Sequence, residues 1–474
     1  MKDSKTKTRK KALHIGIDDT DSPSGMCTTF LGAILVEHFV REGLKFIDFP
    51  YLVRLNPNVP FKTRGNGAVS LHLEVTVDKV EAITDILQSY LNIFSEKHGK
   101  SDPTVVIVTD PIDEFRILYE RSLREIVSPS LVEKLLESSN AKIIGGEKQR
   151  GIVGAAASIG ACGISRYTYE LVLYRSPKNK YERIGAEDLV KVIDILLRPT
   201  IHANIDYEKR RVIAVPHGPD PVIVGLRSTN PILLSSIIKR VAELLSAIIA
   251  VIYKTNQGTG QHLLTLKKIS HVRAYDSVRV RGRIVENPRI LRGGHVIFRL
   301  QDLTSELSCA VYRESGKLTR IAKRLRKGDL IEVGGGAVPR IEGLTLNVEY
   351  IRVIKPLPIL VSENPRCPCC GHKTTSLGKC KGYRCDKCGY RSKTLKKNIK
   401  LLPPLLEPGL YFQSPASYRH LSIPFEAFGA RSYSVPPYPV FFLWSTPNIT
   451  SILDELIGDK PHVFKPLTRA PSGI

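Results

Sequence analysis

The 474-residue sequence predicts a multidomain protein: an α/β domain, a ferredoxin-like α+β domain, an OB-fold β-barrel and a zinc ribbon. Three observations predict this fold class. Strand and helix patterns alternate in the first half, short alternating strands follow over 271–355, and paired cysteines come next. The length predicts about three or four domains. We expect a basic tail 1–11, an α/β domain 12–140, a ferredoxin-like domain 141–263, the OB-fold 270–356, the zinc ribbon 364–392 and a C-terminal tail 393–474.

The first domain opens with an apolar run over 12–17, which predicts a buried strand ending at the acidic turn Asp18-Asp19-Thr20-Asp21. Apolar residues at helical spacing then predict a helix from about Thr28 to Arg41. Further along, the pattern predicts a strand at 69–77, a helix near 79–95, a strand at 104–108 and a helical tail to about residue 140.

The second domain begins with a Gly/Ala-rich segment at 151–163. The alternation of strands and helices that follows is typical of a ferredoxin-like layer. We predict strands at 169–174, 211–215 and 221–226, helices near 186–197 and 231–249, and an exit loop at 254–260.

Five strands with one helix between the third and fourth predict the OB-fold. They lie at 278–284, 295–300, 307–312, 329–333 and 344–354, with the helix at 318–326. Arg279, Arg281 and Arg283 project from one face of the first strand, which favours contact with a nucleic-acid backbone; a soluble outer face is the alternative. Residues 399–474 are proline-rich and show little sign of an independent core.

The net charge of +24 predicts a polyanionic partner, most simply nucleic acid. An anionic membrane surface would require a basic amphipathic helix, which the pattern lacks, and the most apolar stretch, 244–253, is too short to span a bilayer. The N-terminal pattern is not that of a signal peptide. Six of the nine cysteines fall between Cys367 and Cys388, which indicates a metal site in a reducing, cytoplasmic compartment.

Two C-x2-C knuckles predict a structural Zn2+ site with four thiolate ligands, Cys367, Cys370, Cys385 and Cys388. Fourteen residues separate the knuckles. So small a segment buries too little apolar surface to fold without the metal. Cys369 and Cys380 compete as ligands, and His372 is a weaker candidate.

The acidic turn and the helix start after it are the first candidate reactive features. Asp18, Asp19 and Asp21 repel one another unless a cation neutralises them, and their oxygens suit Mg2+. The helix that begins near Thr28 presents free N–H groups, which favour an anion.

A basic glycine loop is the third feature. It combines Lys62 and Arg64 with Gly65 and Asn66, so that cations and a closely approaching backbone can meet a phosphate. Taken singly, these features are also explained by a capped acidic loop, an ordinary helix cap and a solvated turn. Together in one α/β unit they favour a phosphotransfer site.

Longer motifs carry a family resemblance. They read GIDDTDSP at 16–23, GMCTT at 25–29, RLNP at 54–57, KTRGNGAVS at 62–70, GIVGAAASIG at 151–160, YEL at 169–171, PHGPDPV at 216–222 and TNQGT at 255–259. With these motifs, residues 12–424 resemble the archaeal tRNA(Ile) agmatinylcytidine (agmatidine) synthetase family, TiaS. The part after about Glu426 matches no family feature.

The resemblance implies an ATP-dependent ligase with a kinase-like domain. Such an enzyme attaches agmatine to the 2-carbonyl carbon of the wobble cytidine in the CAU-anticodon tRNA-Ile, through a phosphorylated cytidine, and releases AMP and phosphate. The modified base reads AUA. Residues matching the family's motif are Asp18, Asp19 and Asp21 for Mg2+, Thr28 for a phosphorylated threonine, and Lys62, Arg64 and Asn66 for the phosphate-facing loop.

Agmatine carries a guanidinium, so we expect a carboxylate to bind it. Asp206 is the first candidate and Asp220 the alternative, although either could simply fix a turn. The competing function is a non-catalytic single-stranded nucleic-acid binding protein built from the OB-fold and zinc ribbon. A Mg2+-dependent nuclease that uses the same aspartates is less favoured, because it lacks an obvious His or Lys base nearby.

Overall fold

The computed structural model describes residues 10–22, 25–63, 65–95, 101–179 and 183–457. The first unit contains strands β1 (Lys10–Asp18), β2 (Lys45–Phe46), β3 (Tyr51–Arg54), β4 (Gly67–Thr76), β5 (Thr104–Thr109) and β6 (Lys142–Gly145), and helices α1 (Thr28–Arg41), α2 (Lys79–Phe94), α3 (Asp113–Ser122) and α4 (Pro129–Ser138). The predicted strand before the acidic turn and the helix after it are confirmed.

The second unit contains helices α5 (Gly151–Ile159), α6 (Ala186–Leu197) and α7 (Pro231–Leu244), and strands β7 (Thr168–Tyr174), β8 (Ile205–Asp206), β9 (Arg211–Val212), β10 (Val222–Ser228) and β11 (Ile249–Thr255). The predicted helix 231–249 is too long and the predicted exit loop begins too early. Residues 249–255 form a completely buried strand instead. A short apolar run is compatible with either element, and its burial in the sheet decides for the strand.

The two units share one sheet, with strand order β10-β7-β11-β3-β4-β1-β5-β6. Parallel pairing of β11 with β3 joins them. Helix α5, which the sequence assigns to the second unit, packs on β1, β4 and β5 of the first. The site at the end of β1 is therefore built from both units.

The third unit is the predicted OB barrel. Its strands are β12 (Ser277–Ile284), β13 (Arg289–Ile290), β14 (Val296–Gln301), β15 (Glu306–Val311), β16 (Leu330–Arg340) and β17 (Gly343–Lys355), with helix α8 (Lys317–Ala322) between β15 and β16. Pairing of β12 with both β16 and β14 closes the barrel. Alternate buried residues of these strands fill its interior.

The ribbon follows as β18 (Ile359–Glu363), β19 (Thr375–Ser376), β20 (Tyr383–Arg384), β21 (Arg391–Ser392) and β22 (Asn398–Leu402). Strands β19, β20 and β21 form a small antiparallel sheet that carries the second cysteine knuckle. Strands β18 and β22 pair as the stem that connects the ribbon to the barrel.

The C-terminal segment returns to the body of the protein. It comprises β23 (Gly409–Phe412), α9 (Pro439–Phe442), β24 (Leu443–Ser445) and α10 (Ile449–Ile457). Strand β23 extends the barrel along β17, and β24 extends the large sheet along β11. Phe442 is completely buried against Phe46 and Phe49. Within the described residues the segment has no core of its own and is held by the cores of the large sheet and the barrel. The remainder of the predicted tail, 458–474, lies outside the described residues.

Candidate active site

The end of β1 is positioned by glycines that let helix α5 contact the strand directly. On one face of β1, Leu13, Ile15 and Ile17 enter the main core. On the other face, a Cβ at Gly16 would lie 1.9 Å from the Ala155 carbonyl oxygen. The next residue on that face is Asp18, which packs against α5.

Gly154 makes room for the Asp18 carboxylate, because a Cβ there would lie 1.8 Å from Oδ2 of Asp18. Burial raises the pKa of Asp18 well above its ordinary value, and the charges of Asp19, Asp21 and Asp102 raise it further. This carboxylate is thus held where its negative charge is unfavourable without a nearby cation.

Asp19 turns the chain away from the strand. Its φ of 56° lies in the left-handed region, and its Oδ2 accepts the N–H of Asp102 at 2.9 Å. Burial raises the pKa of Asp19 to about 6, although hydrogen bonds from Asp102 and from Thr63 oppose this shift. The left-handed backbone at Asp19 and the hydrogen bond from Asp102 hold the Asp19 carboxylate beside that of Asp18.

Asp102 is a site residue that the sequence analysis missed. Its carboxylate caps the start of α5 by accepting the N–H groups of Lys148 at 3.0 Å, Arg150 at 2.8 Å and Gly151 at 3.2 Å. Because its own N–H donates to Asp19, it connects the acidic turn to α5. The N–H groups that it caps lie 46 to 49 residues further along the chain, so no local capping pattern reveals it.

Thr28, the first residue of α1, faces the acidic turn. Its N–H donates to Oδ1 of Asp21 at 3.1 Å, and its hydroxyl lies 3.5 Å from the same oxygen. The Thr20 hydroxyl donates to the Thr28 hydroxyl oxygen at 3.1 Å. The threonine and the third carboxylate of the turn are therefore in direct contact.

The glycine loop lies across a cleft from the acidic turn. Asp18, Asp19, Lys62 and Asn66 line this cleft, whose volume is about 840 Å³. Arg64 lies outside the described residues. Arg150, also missed from the sequence, lines the same cleft and donates to the carbonyl of Phe61. The separated sequence features thus surround one cleft that is partly open to solvent.

Structural contacts fix the shape of the glycine loop. Asn66 has a φ of 51°, and its Nδ2 donates to the carbonyl of Asn56 at 2.9 Å. A Cβ at Gly65 would lie 2.7 Å from both Arg54 Nη1 and His420 Nε2. The loop accordingly packs against a residue of the C-terminal segment, a contact that its sequence does not reveal.

Behind the loop lies a buried polar cluster that joins three parts of the chain. Nε of Arg227 is 3.6 Å from Oε1 of Glu170, and Nδ1 of His420 is 2.8 Å from Oε1 of Gln257. Arg54 belongs to it: burial lowers its pKa, and the charges of Glu170 and Asp21 oppose the shift. The cluster places positive charge close to the acidic turn.

The two candidate agmatine carboxylates differ in their surroundings. Asp206 is completely buried, and its oxygens accept the N–H groups of Glu208 at 3.0 Å, Lys209 at 3.1 Å and Ala416 at 3.0 Å. These bonds fit the turn-fixing alternative. Asp220 is 3.6 Å from Arg183 and follows Pro219, whose carbonyl contacts the Gly25 loop. Of the two, Asp220 lies beside the loop at Gly25 that follows the acidic turn.

The four cysteines predicted as zinc ligands lie together in the structure. Sγ atoms of Cys367, Cys370, Cys385 and Cys388 all lie within 4.8 Å of one another, which fits a tetrahedral Zn2+. Cys369 and Cys380 are exposed and lie outside this group.

The arginines of β12 are partly paired with a buried carboxylate. Arg279 and Arg281 lie 3.5 and 3.1 Å from Glu332, and Arg283 donates to the carbonyl of Gly328 at 2.9 Å. Arg281 remains 52% exposed. Because these arginines are partly paired within the protein, they offer less positive charge to a nucleic acid than the sequence indicates.

An acidic turn facing Lys62 across a cleft, in a chain with an OB barrel and a zinc ribbon, is the arrangement expected of an enzyme that acts on nucleic acid. The chain matches four family models: the TiaS TCKD domain at 14–102, the TiaS FLD domain at 149–262, an OB-fold nucleic acid binding domain at 272–354 and the TiaS C-terminal zinc ribbon domain at 364–401.

Relatives with the same architecture are named as TiaS, the 2-agmatinylcytidine synthetase of an isoleucine tRNA. The protein from Thermofilum pendens is 47% identical over 91% of this chain and 99% of its own length. That from Staphylothermus marinus is 36% identical over 92% and 98%. The chain belongs to the TiaS family.

Crystal structures of TiaS support the same conclusion. The complex of TiaS with its isoleucine tRNA and ATP superposes with a TM-score of 0.76 at 29% identity, and the complex with the tRNA, AMPCPP and agmatine with 0.73 at 27%. Each comparison covers 90% of this chain and the whole of the other. No helix in the described part of this chain is long and apolar enough to cross a membrane.

Proposed function

We propose that this protein attaches agmatine to the 2-carbonyl carbon of the wobble cytidine in the CAU-anticodon tRNA-Ile, using ATP and passing through a phosphorylated cytidine. The observation that carries the proposal is the shared cleft between the acidic turn and the loop at 62–66. A solved relative in complex with an isoleucine tRNA, an ATP analogue and agmatine supports it.

Within the proposal, Asp18, Asp19 and Asp21 hold Mg2+. Their crowding supports this role, since buried carboxylates this close are stable as anions only near a cation. When bound, Mg2+ would supply positive charge to the phosphate oxygens. Lys62 and Asn66, which line the opposite side of the cleft, would bind the phosphates. Arg64 and Gly65 are assigned to the same role from the sequence motif alone.

Thr28 is proposed as a phosphate acceptor on the enzyme. Its hydroxyl already lies 3.5 Å from Asp21, which is placed to receive the hydroxyl proton. Thr28 is the first residue of α1, and the N–H groups of a helix start favour a phosphate; its own N–H donates to Asp21.

Activation of the base follows from simple chemistry. A ring carbonyl oxygen is a poor leaving group, and phosphorylation converts it into one that the primary amine of agmatine can displace. We propose Asp220 for the guanidinium, because the hydrogen bonds of Asp206 are taken by backbone N–H groups. The wobble base must leave its stack to reach the cleft, which costs a few kcal/mol.

The OB barrel and the zinc ribbon are proposed to bind the tRNA outside the reacting base. Arg281 and Arg283 are the exposed members of the arginine row, and Arg279 is half-buried; Glu332 pairs with both Arg279 and Arg281. Zn2+ would be structural, since four thiolates leave no open coordination position. With its thiolate site and a tRNA substrate, the enzyme is proposed to work in the cytoplasm.

The test is to incubate the full chain with ATP, Mg2+, agmatine and the CAU-anticodon tRNA, and to analyse digested nucleosides by mass spectrometry. We expect a cytidine that has gained agmatine with loss of water. Asp18→Asn should abolish the product and leave tRNA affinity within severalfold. The matched control is Asp188→Asn, because Asp188 is exposed on α6.

Two results would contradict the proposal. Unmodified tRNA with folded, tRNA-binding protein would favour the non-catalytic nucleic-acid binding protein. Full activity of Asp18→Asn would remove Asp18 from the metal site.

A further inference from the structure

A second group of metal-type side chains lies under helix α5, outside the proposed active site. His14 of β1 and His72 of β4 are 3% and 0% exposed, and their Nδ1 atoms are 2.8 Å apart. Cys162, which follows α5, brings its Sγ within 4.8 Å of both rings. No step of the proposed reaction uses these residues.

The polar contacts around the two histidine rings outnumber, by one, the hydrogen atoms available to make them. His14 Nε2 is 3.0 Å from Asp110, His72 Nε2 is 3.1 Å from the Ser70 hydroxyl, and that hydroxyl is 2.9 Å from the Ser158 carbonyl. With the contact between the rings, these are four contacts. The ionised carboxylate and the carbonyl only accept, and two neutral rings and one hydroxyl supply three hydrogens. One contact would therefore join two lone pairs.

A cation between the rings removes the deficit. Each ring then keeps its hydrogen on Nε2, so His14 donates to Asp110 and His72 donates to Ser70, which in turn donates to Ser158. Both Nδ1 lone pairs point at the cation. A histidine that binds a metal is usually neutral. One ring nitrogen binds the metal, and the other donates its hydrogen to a neighbouring oxygen.

We propose that His14 Nδ1, His72 Nδ1 and Cys162 Sγ bind a borderline-soft divalent metal ion, of which Zn2+ is the representative. Tetrahedral Zn2+ with bonds of about 2.0–2.1 Å to nitrogen and 2.3 Å to sulfur needs the nitrogens about 3.3 Å apart and each about 3.6 Å from sulfur. The rings must separate by about 0.5 Å, and the thiolate, whose sulfur lies within 4.8 Å of a nitrogen of each ring, must approach to the distance of about 3.6 Å. These are side-chain movements.

The surroundings of Cys162 would give a metal ion a path from solvent, and its binding would link separate elements of the fold. Cys162 lines a cleft of about 950 Å³ that also exposes Arg116 and Gln261, so an ion can reach the thiolate from solvent. The fourth coordination position would face this cleft. The bound ion would tie β1 and β4 to the chain just after α5, whose first turn packs on Asp18.

The test is the metal content of the full chain. After equilibration with excess Zn2+ and removal of loosely bound ions, we expect two zinc ions per chain. Cys162→Ser should hold one. The double variant Cys385→Ser/Cys388→Ser, which lacks the ribbon site, should also hold one, whereas the exposed-cysteine control Cys380→Ser should hold two.

Cobalt distinguishes the two sites spectroscopically. In the ribbon double variant, added Co2+ should give a thiolate-to-cobalt absorption band that disappears when Cys162→Ser is added. One zinc per wild-type chain, absent from the ribbon double variant, would overturn the proposal and leave a shared extra proton between the rings. Because the ribbon double variant keeps Cys162, its zinc content tests the proposal even if Cys162→Ser fails to fold.

Discussion

Replacing Gly154 by alanine should misplace the carboxylate at the end of β1. The added Cβ would lie 1.8 Å from Oδ2 of Asp18, and real Cβ contacts essentially never fall below 3.0 Å. Either the carboxylate or helix α5 must therefore move by about 1.2 Å or more. A shift of about 1 Å at a reacting centre lowers the rate about 10²-fold.

The same substitution should have a smaller effect on folding. Overpacking costs about 1–3 kcal/mol, and alanine recovers about 1 kcal/mol by its higher helix propensity. We expect Gly154→Ala to be folded, with the free energy of unfolding lowered by about 0–2 kcal/mol. The assay is the initial rate of labelled agmatine incorporation into tRNA at saturating ATP, with chemical denaturation measured in parallel.

Gly409→Ala is the matched control. Gly409 lies in β23 of the barrel, and the nearest atom to a Cβ there is 3.6 Å away, an ordinary contact. This variant should keep the wild-type rate. A folded Gly154→Ala protein with an unchanged rate would refute the argument that the Asp18 position, enforced by the glycine, is needed for turnover.

Three further predictions concern the metal sites and the C-terminal segment. Burial raises the pKa of Asp18 and raises that of Asp19 to about 6, so protonation should compete with Mg2+ as the pH falls. We expect the Mg2+ concentration for half-maximal activity to rise by roughly tenfold or more per pH unit below about 6, while tRNA affinity measured in parallel stays constant. A requirement independent of pH would exclude both aspartates as ligands. Cys385→Ser should lose the ribbon zinc and weaken tRNA binding, and Cys369→Ser should do neither; equal zinc loss in both would show that the ligand set is wrong. Phe442→Ala should lower the free energy of unfolding by about 3–5 kcal/mol, because Phe442 is completely buried. Val440→Ala, at an exposed residue, should change it little. Equal effects would mean that the C-terminal segment does not pack on the large sheet as described.

Local patterns predicted the elements that carry the site. The apolar run before Asp18 and the helical spacing after Thr28 are short-range signals, and both elements form where expected. The two C-x2-C knuckles also specify their ligands locally, because each loop fixes its own pair of sulfur atoms. Such features depend little on the rest of the chain.

Contacts between distant segments were not predictable in the same way. Asp102 caps a helix that begins 49 residues later, and His420 packs on the loop at Gly65 from the far end of the chain. Strand β11 was missed because its sequence continues the apolar pattern of the preceding helix. Each depends on tertiary packing, for which one sequence carries no periodic signal.

The most direct measurement is an anomalous difference map from crystals of the full chain grown with Mn2+, as a substitute for Mg2+, and a non-hydrolysable ATP analogue. We predict a metal peak about 2.0–2.6 Å from carboxylate oxygens of the Asp18–Asp21 turn, with the phosphates between this metal and Lys62. A nucleotide bound elsewhere, or phosphates in the cleft with no cation at the aspartates, would contradict the proposed site.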